Sequence, residues 1–187
     1  MKKQLILISA LIGASVVTSA SGSEEESLGK WITTISRTKE VKPVNNEAYA
    51  EECGACHFAF PPGLLPIQSW KKLLNPQALE DHFDENAELD ADVLKSIQEY
   101  VFANSSEKSY HKRSRKITRS ISEGESPLRI TEVAYIKRKH HELTDSMVKE
   151  NEDVGSLSNC NACHTQAEKG VFDDDTVRIP NFPEWED

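Results

Sequence analysis

Cys53-Gly54-Ala55-Cys56-His57 and Cys160-Asn161-Ala162-Cys163-His164 contain every cysteine of the chain. Two thiols three residues apart on one helical turn can each add to a vinyl group of the same porphyrin. The histidine that follows, His57 or His164, then lies where its imidazole can bind the iron from one face. Cys-x-x-Cys-His is the attachment signature for haem c. Other uses of paired cysteines fit less well. A zinc site made from both pairs would put about a hundred residues between its knuckles, far outside ribbon spacing. Structural disulfides would not call for a histidine after each pair. A thioredoxin-like redox pair needs a βαβ surround that neither site has. The motif pair predicts two covalently attached haem c groups, on Cys53 and Cys56 and on Cys160 and Cys163.

The start of the chain does not belong to the fold. Lys2 and Lys3 precede a mostly apolar run over residues 5–17, and Thr18-Ser19-Ala20 offers small residues for cleavage. This is the pattern of a secretory signal peptide over residues 1–20. The run is too short for a comfortable membrane span, and no later segment approaches that length. The expected product is soluble and periplasmic or otherwise exported. Loss of Lys2 and Lys3 takes the formal charge from -9 to -11. So acidic a chain is a poor ligand for nucleic acid, whose phosphates need clustered cations. With 37% hydrophobic and 7% aromatic residues, the chain is thin for two independent cores, and buried haems would supply apolar material.

Each iron needs a ligand on its far face, and axial ligation sets potential and reactivity. Beyond the initiator, Met147 is the sole methionine, whereas His82, His111, His140 and His141 all lie outside the attachment motifs. Supply favours bis-histidine ligation at both irons. Residues 130–143 read as a helix on which Val133, Ile136 and Leu143 share a face with His140. His141 follows a more polar row and stands in reserve. His82 lies between Leu79 and Phe83, a cluster that can press an imidazole against a haem. His111 sits among serines and cations, and Met147 in a polar stretch.

The remaining pattern is helical, with no persuasive strand. Asn46 can cap a helix leading into the first attachment site. Phe58 and Phe60 are placed to wrap the first haem edge. Residues 67–74 and 90–102 read as helices, the second with Val93, Leu94, Ile97 and Val101 on one face. A second attachment helix is expected over 158–170, with Gly170 closing it, and the tail around Pro180, Pro183 and Trp185 reads as irregular. The fold class expected is all-α, with two small helical haem-binding halves of class c cytochrome type. A 21–44 extension precedes a first haem domain over 45–103, and a second covers 128–187. Between them residues 104–127 form a Ser/Lys/Arg-rich linker or loop. Its cations, among them Lys108, Lys112, Arg113 and Lys116, are expected to be solvated, or to dock an acidic redox partner.

Several blocks together resemble the bacterial dihaem cytochromes c, the DHC family. Residues 52–66, Glu-Cys-Gly-Ala-Cys-His-Phe-Ala-Phe-Pro-Pro-Gly-Leu-Leu-Pro, look like its N-terminal signature. Ser69-Trp70, His82-Phe83, Pro127-Leu128-Arg129-Ile130-Thr131 and His140 with Glu142 follow in kind. Cys160 to Gly170 with Phe172-Asp173 resembles its C-terminal block. The basic stretch 104–126 departs from the blocks around it. The resemblance implies an electron-transfer cytochrome with two bis-histidine haems. His57 and His164 match its proximal ligands, and His82 and His140 its distal ones. It also implies redox partner proteins, of which a small high-spin haem protein, SHP, is one. No paired carboxylates, nucleophile constellation or phosphate loop appears, so an electron carrier is expected in place of an enzyme. Two alternatives stay open: a haem enzyme or sensor with one open iron, and the dihaem electron-transfer subunit of a periplasmic reductase.

Overall fold

A computed structural model of the chain describes residues 39–185. The expected signal peptide lies outside the described residues, as does the 21–38 part of the extension. Residues Arg37–Asp187 gather into one compact unit. Among the described residues there are helices, turns and one isolated bridge, between His164 and Val177, but no strand. No helix among them is long and apolar enough to cross a membrane.

Helix α1, Glu47–Glu52, starts where Asn46 Oδ1 accepts the Tyr49 amide at 2.8 Å. That bond satisfies one of the orphan donors of the first turn. After a 3-10 turn at Pro62–Leu64 comes α2, Ile67–Leu73, whose first amide donates to the distant Glu107 carboxylate at 3.0 Å. Helix α3, Pro76–Leu79, has proline in its first turn and Asn75 as its side-chain cap. Helix α4, Ala91–Ala103, buries Leu94, Ile97 and Val101, spaced so as to fall on one face. It packs against α1 and α2, and Trp70 of α2 donates its indole N–H to the Pro62 carbonyl at 2.8 Å.

The stretch expected as a linker is a packed element. Ser106–Lys108 forms a 3-10 turn and Lys112–Ser120 forms helix α5. Ser105, Ser106, Arg113, Ser114 and Ile117 are buried. The serines fit because they are small: a side chain on Gly63 would meet Ser114 Oγ at 2.6 Å, so the two backbones meet without one. Of the inward-facing residues of α5 only Ile117 is apolar, so no hydrophobic period reached the sequence pattern. Arg113 is therefore not one of the solvated cations.

Helix α6, Ala134–Lys139, is shorter than the expected 130–143. Ile130–Glu132 is a 3-10 turn, Val133 is extended, and His140 ends α6 as its cap. The second attachment helix is shorter still. Helix α7 is Cys160–Cys163, because His164 leaves helical geometry to bridge Val177. A 3-10 turn at Ala167–Lys169 then ends on Gly170 with φ +74°. One cluster of buried apolar side chains runs from Val41 and Tyr49 through Leu65, Ile97, Ile117 and Val133 to Phe172.

Candidate haem sites

At the first attachment site Cys53 closes α1, its amide donating to the Tyr49 carbonyl at 3.1 Å. His57 follows half-buried, with Nδ1 2.8 Å from the Phe58 carbonyl oxygen. A donor bond there leaves Nε2 free for a metal. The Phe60 ring lies 4.9 Å from the His57 ring and packs edge-on against Phe58. Phe60 is itself held by the Tyr49 hydroxyl, which donates to its carbonyl at 2.7 Å.

His82 sits on a tight turn after α3. The His82 amide donates to the Glu85 carbonyl at 2.7 Å, and Phe83 and Asp84 both adopt positive φ, 58° and 76°. A phenylalanine there is costly, so surrounding contacts must impose the turn. The Arg129 guanidinium supplies one, 3.9 Å from the centre of the Phe83 ring. Burial, then the neighbouring His57 and Arg129, lower the proton affinity of His82. His57 and His82 are thus brought within electrostatic reach of each other.

The second site is a cavity of about 250 Å³ whose wall includes Cys160, Cys163, His164 and His140. His140 and His164 present their rings to each other with centroids 6.0 Å apart and planes at 73°. The Ile136 carbonyl holds His140 Nδ1 at 2.8 Å. Ile136 and Leu143 line the cavity with His140, as expected from their spacing, whereas Val133 is buried in the core. Burial, then His140 and Arg113, push the pKa of His164 down to about 4. This imidazole is neutral, as a metal ligand must be. His141 is exposed beside Glu142. His111 heads α5, next to the Ser109 hydroxyl, and neither it nor Met147 lines the cavity.

The residues fit haem c. Among the described residues no group of three or more His, Cys, Asp and Glu side chains is arranged for a metal. All four cysteines are free. Burial raises the Cys53 thiol to about 11, with Glu52 adding to the effect, and burial raises Cys160 to about 12. Such thiols stay protonated in the unloaded chain. Haem c would take its two thioether links from one cysteine pair, and at the second site His164 and His140 would be at hand to hold its iron.

Sequence reasoning missed two contributors. Arg113 lines the second cavity from α5, and so does the tail, through Val177, Ile179 and Trp185. The tail is irregular as expected but fixed in place: Arg178 donates its amide to the Cys163 carbonyl at 2.9 Å, and Asn151 Nδ2 donates to the Pro180 carbonyl at 2.7 Å. Ile179 next to a proline was a faint sign that this segment is covered.

The family profile for dihaem cytochrome c matches residues 49–172. No curated protein matches the chain. Among solved structures, the dihaem cytochrome c of Shewanella baltica OS155 is 40% identical, with a TM-score of 0.61, over 75% of this chain and 98% of its own. A dihaem cytochrome c from Rhodobacter sphaeroides is 39% identical, with a TM-score of 0.62, over 71% of this chain and 100% of its own. The chain therefore belongs to the dihaem cytochrome c family and carries two haem c groups, and the pairs Cys53 with Cys56 and Cys160 with Cys163 are consistent with covalent attachment.

Proposed function

We propose that this protein is an exported electron carrier in which two histidines hold each iron, His57 with His82 and His164 with His140. The observation that carries the reading is the pairing of His140 with His164 across a cavity that also holds Cys160 and Cys163. Haem supplies reversible one-electron chemistry between ferric and ferrous iron. The polypeptide would hold the iron through these four imidazoles. Carbonyls of Phe58 and Ile136 fix the rings of His57 and His140 through Nδ1, which leaves little to reorganise when charge changes.

The lowered proton affinities of His82 and His164 support ligation by neutral imidazole at both sites. Export is supported by the Lys2–Lys3 start and the apolar run that follows it. A small high-spin haem protein is the candidate partner that the family resemblance suggests. Stepwise reduction followed in the visible region tests the carrier reading. Two reversible one-electron steps, each low-spin in both oxidation states, are expected. A five-coordinate ferrous spectrum would favour the enzyme or sensor reading.

A further inference from the structure

Arg113 is 8% exposed, on the wall of the second cavity. A guanidinium so placed must be paired, because burial penalises an uncompensated charge heavily. Nη2 donates to Glu40 Oε2 at 2.6 Å and to the Phe172 carbonyl at 2.9 Å, and Nη1 donates to the Tyr135 hydroxyl at 3.1 Å. The backbone locks the same pair: the Arg113 amide donates to the Glu40 carbonyl, and the Glu40 amide to the Gly170 carbonyl, at 3.0 and 2.8 Å. One guanidinium nitrogen is left without a partner. Arg113 Nε is buried and has no partner.

A clasp whose only task was to tie Glu40 to α5 would have no need of the cavity wall. Here the guanidinium paired with Glu40 belongs to a side chain that also lines the haem cavity beside His164. A second asymmetry lies beside it. His57 and His140 each have Nδ1 against a backbone carbonyl, whereas His164 Nδ1 is buried without a partner. His164 thus lacks the donor bond that would make its imidazole a stronger electron donor to iron. The fixed cation on the same cavity wall is Arg113.

We propose that Arg113 tunes the second haem: its charge, offset by Glu40, sets the potential of the haem on Cys160 and Cys163. The proposal deepens the carrier reading and rests on it. On reduction the ferric haem gains one electron, delivered by an electrode through a mediator, and no bond forms or breaks. The site becomes more negative by one charge, a change that a fixed guanidinium favours and a carboxylate opposes.

A mediated redox titration of the haem-loaded protein and its variants is the test. Arg113→Gln removes the cation and leaves Glu40, so one of the two reduction steps should move to lower potential. Glu40→Gln keeps the shape of the clasp and removes the anion, so the same step should move higher. A tenfold change in its equilibrium constant is expected in each case, about 59 mV for one electron, with the other step nearly still. Arg113→Lys retains the charge and should move the step less than Arg113→Gln. If Arg113→Gln does not fold, Glu40→Gln and Arg113→Lys carry the test. Unmoved steps, both steps moving alike, or Arg113→Gln and Glu40→Gln shifting in the same direction would each reduce the pair to a structural clasp. A wild-type titration with a high-spin step would instead remove the carrier reading, and the variant shifts would still judge Arg113.

Discussion

The rings of His140 and His164 lie 6.0 Å apart across one cavity, while His141, the next residue along the chain, is exposed beside Glu142. Adjacent histidines thus have opposite fates, decided by the turn that ends α6. His140 caps the helix with Nδ1 on the Ile136 carbonyl, and its neighbour points to solvent.

Replacement should separate them. His140→Ala is expected to leave one iron per molecule five-coordinate, seen as a stoichiometric high-spin band in the visible spectrum of the oxidised protein. His141→Ala should leave the spectrum unchanged. Equal effects from the two variants would contradict the assignment.

Acid should weaken the fold before the carboxylates begin to titrate. His164 is harder to protonate in the folded chain, at about 4, than in the unfolded one, at about 6.5. Acid therefore protonates the unfolded chain first. The stability this contributes is full above about pH 6.5 and is lost as pH falls toward 4, by up to about 1.4 kcal/mol per pH unit. The lowered affinity of His82 acts in the same direction. The melting temperature of the chain before haem is attached should fall between pH 6.5 and 5. A flat profile over that interval would count against buried neutral histidines.

Gly170 is the backbone hinge of the second attachment segment. Its φ of +74° suits glycine, and a Cβ there would lie 2.2 Å from the Val41 carbonyl oxygen. Gly170→Ala should cost at least about 1–3 kcal/mol, read as a lower urea midpoint. The bonds that the Glu40 and Val41 amides donate to the Gly170 carbonyl would be strained with it. An unchanged midpoint would show that this contact yields easily.

Much of the haem chemistry was legible because it is local. Cys-x-x-Cys-His encodes its own geometry, and the i, i+4 step from Ile136 to His140 placed that histidine and the carbonyl that orients it on one turn. Asn46 announced its helix in the same way, and α4 showed its face through Leu94, Ile97 and Val101. What stayed hidden depends on contacts distant in sequence. The bond between Arg113 and Glu40 spans 73 positions, and nothing in a run of serines and cations marks one arginine as buried. Periodicity also overran the helix ends at Val133 and His164, because backbone bonds to other segments end a helix that side-chain spacing alone would extend.

The most direct test of the account is the low-temperature electron paramagnetic resonance spectrum of the fully oxidised, haem-loaded protein. Two low-spin ferric signals of bis-histidine type, with no high-spin component, are the predicted result. A stoichiometric high-spin signal would mean that one iron is open, and the carrier reading would give way to a ligand-binding or catalytic haem.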